Sequence, residues 1–338
     1  MRELQIAENE AGQRLDKFLA KYMKKAPKSF FYKMLRKKNI VLNGKKASGS
    51  EKLAQGDVVR LFLSEETIDG FSDTAKNAGK VPGKAAGKAG EERSPFRLTG
   101  SDIVYEDDHV LLLNKPAGIL SQRADNRELS MTEYVIRYLL ETGQLTEEEL
   151  RTFRPSVCNR LDRNTSGLIA AGKSLAGLQE LSRLFKDRSL KKYYLCLVRG
   201  RVEESQRIRG WLQKDRRTNR VTVHQRKNAP EDLFIETEYR PVSIIRDATL
   251  LEVHLITGRT HQIRAHLAGT GHPIIGDYKY GDRRVNDRFK KAYGLKSQLL
   301  HAHRMVFPEI AGPLAHLSGK AFEAPLPDLF SSILKEEK

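Results

Sequence analysis

The stretch Asn159 to Ser174, "NRLDRNTSGLIAAGKS", sets one carboxylate, Asp162, between Arg160 and Arg163. A neighbouring guanidinium favours the ionised carboxylate, so Asp162 is available at neutral pH as a nucleophile or an electrostatic group. A structural reading fits the same residues, because Asp followed by Asn-Thr-Ser-Gly is turn chemistry in which short polar side chains satisfy local backbone donors. The local sequence leaves both open. A second cluster, "LITGRTHQIRAHLAGTGHPIIGD", gathers Arg259, His261, Gln262, Arg264, His266 and His272 after an apolar run. Thr260 is placed to cap a short helix with Ile263 and Leu267 on its buried side and Gly269 or Gly271 at its end. A polar helix start leaving a sheet suits anion contacts.

Metal chemistry has little support. His261 and His266 are five apart, no HExxH pattern occurs, and His301 and His303 share a strand face without cysteine or carboxylate neighbours in sequence. They read as structural residues or as groups facing a partner. "GKAAGKAG" lacks the preceding strand and the Lys-Ser/Thr ending of a phosphate loop. No metal and no cofactor is expected. Cys158 and Cys196 sit in apolar surroundings and read as small buried hydrophobes in a reducing compartment.

Three zones must position these groups. In residues 1–65, "RLDKFLAKYM" places Leu15, Phe18, Leu19 and Tyr22 at helical spacing, and "SFFYKMLRKKN" repeats the theme with Phe31, Met34 and Leu35. "IVLNGKKA" is an apolar run closed by the hairpin signal Asn-Gly, and "GDVVRLFL" reads as a further strand. This is a small two-helix plus hairpin module. Residues 66–95 are rich in Gly, Ala and Lys, cannot bury a core, and are expected to be a flexible tether. From 96 to 338 strands are expected around Ile103 to Tyr105, Val110 to Asn114, "KYYLCLVRG", "TLLEVHLITG" and "LLHAHRMVF", with an amphipathic helix in "LAGLQELSRLF". Strands and helices do not alternate regularly, so the class is α+β, with a mixed, largely antiparallel sheet.

The formal net charge of +17 and the pI near 9.7 raise the local concentration of polyanions, and nucleic acid is the first partner implied. The charge is concentrated: residues 21–46 hold ten Lys or Arg and no Asp or Glu, among them Lys28, Arg36, Lys37 and Lys45. Phosphate neutralisation needs only such clustering. Phe30, Phe31 and Tyr32 are interleaved with it, but helical spacing assigns at least two of the three to a core. The N-terminus has no signal-peptide pattern and no run approaches a membrane span, so a cytoplasmic protein without a membrane partner is expected.

"RLDRNTSGL" resembles the Asp-bearing motif of pseudouridine synthases of the RluA type. In order with it stand "LLLNKPAG" (Leu111 to Gly118, with Lys115), "KYYLCLVRG", "TGRTHQIRAHL", "HPIIGD" (His272 to Asp277), "LHAHRMVF" and "FEAPLP" (Phe322 to Pro327). These matches span almost all of Asp102 to Phe330. The first module is similar to the S-four-type RNA-binding domain, although "PKSFFYK" stands where that family often has Ser-Arg, with Lys28 left to supply the charge.

The resemblance implies a pseudouridine-synthase-like sheet and an isomerisation in which the uracil–ribose bond breaks, the base turns and its carbon 5 is attached instead. It implies Asp162 as the catalytic aspartate, Tyr194 rather than Tyr193 against the base, and Arg264 paired with Asp162. Arg160, Arg163, Asn164, Thr165, Arg259, Gln262, Ile263 and Lys115 are implied as further contacts to phosphate, ribose or base. Asn159 stands where many relatives have His, and it cannot titrate near neutral pH. Ribosomal RNA of the large subunit (23S) is the implied substrate, with transfer RNA as the alternative, and the enzyme is expected to act as a monomer. Two other classes are less favoured: a non-catalytic RNA-binding or ribosome-assembly protein, which would not need Asp162, Tyr194 and Arg264 together, and a hydrolytic glycosidase, which would need a second carboxylate near Asp162.

Overall fold

The computed structural model describes residues 1–72, 96–123, 128–215 and 217–337. Contacts divide the chain into two units. One is Met1–Arg97 with Ile136–Pro155 and Ser174–Ala176; the other is Leu98–Val135, Ser156–Lys173 and Gly177–Lys338.

In the first unit, strands β1 (Arg2–Gln5), β2 (Ile40–Leu42), β3 (Lys45–Lys46) and β4 (Val58–Leu61) form a sheet in the order β1-β4-β2-β3. Asn43 and Gly44 both take positive φ, which the two-residue β2–β3 hairpin requires. The two expected helices are α1 (Leu15–Tyr22) and α2 (Lys28–Arg36). The apolar residues named for them are buried around Ile40, Val59 and Leu61. Phe30 and Phe31 pack with this core while Tyr32 is exposed. A third helix, α3 (Glu65–Phe71), corrects the expected start of the tether. Ser64 caps it, and Ile68 is fully buried in the same core, so the apolar Ile and Phe hold these residues in the folded module. The rest of the expected tether, from residue 73 to 95, lies outside the described residues.

The second unit is built on an eleven-stranded sheet. Its strands are β5 (Ile103–Glu106), β6 (Val110–Lys115), β7 (Ser156–Val157), β8 (Ser166–Gly172), β9 (Lys191–Arg199), β10 (Gln206–Asp215), β11 (Arg220–His224), β12 (Leu233–Ile245), β13 (Ala248–Leu255), β14 (Leu300–Val306) and β15 (Ala321–Glu323). The main order is β11-β10-β12-β13-β9-β14-β8-β6-β5. Among the strand pairings of the described residues only β14–β8 is parallel, so the sheet is mixed and largely antiparallel and the fold class is α+β. The helices from residue 96 onward are α4 (Met131–Glu141), α5 (Leu175–Lys186), α6 (Gln262–Gly269), α7 (Arg283–Tyr293) and α8 (Asp328–Glu336); α6, α7 and α8 lie wholly in the second unit.

The middle strands are apolar on both faces, as in Val110 to Leu113 and Ser166 to Gly172, because helices and loops cover them. Their core joins Leu112, Leu168, Cys196, Leu251 and Ile263. Cys158 and Cys196 are free thiols. Gly167 explains how β8 starts: its φ is +109°, and a Cβ there would lie 2.3 Å from the Ala302 carbonyl oxygen of β14. The glycine therefore permits the close parallel pairing that anchors the loop carrying Asp162. No helix among the described residues is long and apolar enough to cross a membrane.

Candidate active site

Asp162 lies in the loop between β7 and β8. The Thr165 amide donates to its backbone carbonyl at 3.0 Å, so the turn expected from Asp-Asn-Thr-Ser-Gly is present. The carboxylate is not used by that turn. It accepts from Arg264 Nη1 at 2.8 Å, so Asp162 is a turn residue through its backbone and a reactive candidate through its side chain. The Arg264 side chain is 9% exposed and that of Asp162 is 25% exposed, which leaves the acid facing outward from a buried partner.

Arg264 is itself held from behind. Its Nε and Nη2 donate to Asp277 Oδ2 and Oδ1 at 2.8 and 2.9 Å, a bidentate pair in which Asp277 is 1% exposed. Asp277 Oδ1 also accepts from the amides of Lys279 at 2.9 Å and Tyr280 at 3.2 Å. Burial alone would raise the Asp277 pKa, but the bonds from Arg264 outweigh it and hold the carboxyl below its ordinary range. The Arg264 guanidinium lies 5.2 Å over the Tyr280 ring. One cation thus joins two carboxylates. Asp277, buried and neutralised by a bidentate guanidinium, is not placed to serve as the second acid of a carboxylate-pair hydrolase.

The backbone of the Asp162 loop is tied from below. Lys115, fully buried at the end of β6, donates to the carbonyls of Pro116, Ile119 and Arg163 at 2.9, 2.9 and 3.1 Å. Burial pulls its pKa down to about 7, while the Asp162 charge acts to keep it protonated. Three acceptors match the three donors of an ammonium. Ser121 Oγ donates to the Leu161 carbonyl and accepts from the Leu161 amide, each at 2.9 Å. The Asn159 amide donates to Leu168 O at 3.2 Å and accepts from Ala170 N at 2.8 Å, clamping β8. A group that both donates and accepts is what this position uses.

Tyr194 comes from the centre of the sheet, on β9, paired with Val253 and Ala302. It is buried, and burial together with the Asp162 charge raises its pKa, so the phenol stays protonated. Tyr193 points to the opposite face, where it stacks on His254 and carries the Arg304 guanidinium. Ile263 is buried in the same apolar cluster as Tyr194.

Helix α6 starts one residue later than the sequence suggests. Its N-cap is His261 in the left-handed region at φ 53°, not Thr260. That conformation turns the imidazole toward the site, with Nε2 4.0 Å from Asp162 Oδ2 and Nδ1 2.9 Å from the Tyr280 hydroxyl. The hydroxyl accepts from the Val221 amide at 2.9 Å, which leaves its own proton for Nδ1. Burial lowers the His261 pKa against the pull of Asp162. The neutral ring then presents Nε2–H toward the carboxylate.

Other expected contacts divide into exposed and buried sets. Arg160, Arg163 and Asn164 are exposed beside Asp162, and Arg163 pairs with Glu128 at 2.6 Å. Arg259 is half-buried, with Nε buried and no hydrogen-bond partner there. Lys28, Arg36, Lys37 and Lys45 are exposed on the first unit. Three of the expected contacts are enclosed by the protein. Lys115 is enclosed as described. Thr165 is buried and accepts from Gln298 Nε2 at 3.2 Å. Gln262 is buried, donating to Glu236 O and Thr237 Oγ1 and accepting from Thr257 Oγ1 and the Arg259 amide. All three have hydrogen-bond partners inside the protein, so in this structure their polar groups are engaged by the fold. His301 is likewise structural, fully buried between Ser166 Oγ and the Ala324 carbonyl.

Asp277, Tyr280 and His261 are the site residues that sequence reasoning left without a role. Asp277 was visible in "HPIIGD", but nothing local indicates its partner. Among the described residues no group of His, Cys, Asp and Glu is arranged to hold a metal ion.

Residues 109–269 match the family described as RNA pseudouridylate synthase, and residues 13–59 match the S4 domain. A protein of Vibrio cholerae named ribosomal large subunit pseudouridine synthase C is 34% identical over 329 residues, covering 93% of this chain and 94% of its own. The chain belongs to the RNA pseudouridylate synthase family, RluA type. The Escherichia coli K12 protein of the same name is 31% identical over 318 residues, covering 89% and 87%. The solved structure of human RNA pseudouridylate synthase domain containing 4 superposes with a TM-score of 0.54 at 21% identity, over 70% of this chain and 92% of that one, and it supports the fold. The enzyme is therefore a pseudouridine synthase, an isomerase.

Proposed function

We propose that the chain isomerises particular uridines of large-subunit ribosomal RNA, with Asp162 as the group that attacks or stabilises ribose or uracil. The observation that carries this reading is the chain Asp162–Arg264–Asp277, which presents the Asp162 carboxylate from a buried guanidinium, within electrostatic reach of the buried phenol of Tyr194. Asp277 orients Arg264, and Arg264 orients Asp162 and offsets the cost of partly desolvating its charge. The protonated Tyr194 lies against the base, and Ile263 lines the apolar side. Arg160, Arg163, Asn164 and Arg259 are left to grip phosphate and ribose while the uridine leaves its stack. The net reaction moves the C1′ bond from uracil N1 to C5, with the C5 proton lost and N1 protonated, so it consumes no co-reactant. Asp162 serves a glycal route and a covalent route equally.

The domain division we favour is an S4 module ending after α3, a tether, and a catalytic region from about residue 96. Lys28, Arg36, Lys37 and Lys45 supply phosphate contacts on the module. We favour a monomer acting in the cytoplasm, where its substrate is made. The relatives' names support ribosomal over transfer RNA.

The test is pseudouridine mapping of ribosomal and transfer RNA from cells lacking the gene, complemented with wild type or Asp162→Asn. Loss at particular 23S uridines, restored by wild type alone, is the expected result. Unchanged ribosomal sites with a lost transfer-RNA site would move the substrate to transfer RNA. Restoration by Asp162→Asn would refute the catalytic assignment.

A further inference from the structure

Strands β10, β11 and β12 present two unlike faces. On one, Leu212, Val221 and Ile235 are buried with Ala265 of α6. Alternation along the strands puts Trp211, His224 and Phe234 on the other face, and the register sets Trp211 directly opposite His224 on β11 and Phe234 on β12. The result is a row of three rings across three adjacent strands. Trp211 and Phe234 meet edge to face at 5.6 Å between ring centres, and Phe234 is 40% exposed although its strand is central. Lys227 lies 5.4 Å over the indole. Arg207 and Arg209, more than half exposed on the same face, hold Glu236 through Nε at 2.9 and 2.6 Å.

We propose that this face is a second RNA-binding surface, a stacking platform for unpaired bases of the substrate outside the target uridine. It rests on the reading that RNA is the substrate. Aromatic rings offer π-faces that any base can cover, and the surrounding guanidinium and ammonium groups neutralise the backbone between the stacked bases. Stacking on Trp211 displaces Lys227 from the indole and frees it for phosphate. Because α6 carries Arg264 and packs on the opposite face, the platform is separate from Asp162 and engages a different stretch of the chain of nucleotides. A cross-strand aromatic pair alone also stabilises a sheet. It does not account for an exposed central Phe234 flanked by cations in a chain of net charge +17.

Trp211 is the single tryptophan of the chain, so its fluorescence reports this face directly. The full chain is titrated with a labelled short oligouridylate and with an RNA duplex of equal length, reading indole emission and label anisotropy together. Saturable quenching by the single strand but not the duplex is expected. Phe234→Ala should weaken the single strand about tenfold, and Phe234→Tyr should keep its affinity, both read at a temperature where the variants remain folded. Asp162→Asn should leave the quenching intact. Binding seen by anisotropy without any change in emission, or unaltered affinity in Phe234→Ala, overturns the platform and leaves the substrate reading standing. Emission that changes with protein concentration instead of RNA would assign the face to a second copy of the chain. No binding of any RNA, together with no loss of pseudouridine in the deletion strain, would remove both.

Discussion

Asp277→Asn is nearly isosteric, yet it should damage both stability and turnover. Oδ1 accepts three N–H groups, from Arg264, Lys279 and Tyr280, so the amide oxygen of Asn is held in that position. The amide nitrogen then replaces Oδ2 and faces Arg264 Nε–H, donor against donor, where a 2.8 Å charge-assisted bond stood. Losing that bond costs about 1.5–3 kcal/mol, and a buried guanidinium robbed of one of its two charges raises the total to about 3–5 kcal/mol. At roughly 2–4 °C per kcal/mol for a domain of this size, melting should fall by about 10 °C. Arg264 turns to relieve the clash, and Nη1 leaves its aim on Asp162. A misplacement of that order is worth about 10²-fold in rate, or roughly 3 kcal/mol of barrier. The assay is tritium release or pseudouridine formation on a ribosomal RNA fragment at a temperature where the variant is folded. A folded Asp277→Asn enzyme with kcat/KM within about twofold of wild type would falsify the positioning argument.

Lys115→Met keeps the volume but strands three carbonyl acceptors; a loss of at least about 3 kcal/mol and a melting drop of roughly 10 °C are expected, and an unchanged melt would show that the ammonium does not hold the Asp162 loop. Tyr194→Phe should lower kcat by about 10²-fold with little change in stability, and because the phenol pKa is raised, the wild-type pH–rate profile should show no Tyr194 titration below about pH 10; undiminished kcat would remove the phenol from the chemistry. His266 and His301 are both pushed down to about 4 by burial. Their stabilising effect is complete above the ordinary value of 6.5 and is lost as pH falls toward about 4, by roughly 3 kcal/mol each, because the unfolded chain takes up protons first. Urea unfolding across that window should show the decline and His301→Asn should flatten about half of it, whereas constant stability would contradict the buried neutral rings.

The α1 and α2 helices and the Asn43-Gly44 hairpin were legible because each depends on nearest neighbours in sequence: apolar spacing and a turn that needs positive φ are local signals. Asp162 and Arg264 stood out through a set of motifs in order along the chain, not through their neighbours. The resemblance put Tyr194 forward over Tyr193, and strand alternation places the two on opposite faces of the sheet. Burial of polar residues was not legible. Lys115, Thr165 and Gln262 have side chains that suit an RNA surface, and only their enclosure by carbonyls and amides from distant segments engages their polar groups in the fold. The first turns of α3 were hidden by the polar composition that follows them, because one fully buried Ile68 outweighs it only once a core exists to receive it. Sequence by itself determined the S4 domain at residues 13–59, the largely antiparallel class and the family. Tertiary structure decided what stands behind the Asp162–Arg264 pair that the motifs implied: Asp277 comes from a further segment, and its ion pair with Arg264 is formed by the fold that closes the segments together, not by any property of the neighbours each has in sequence.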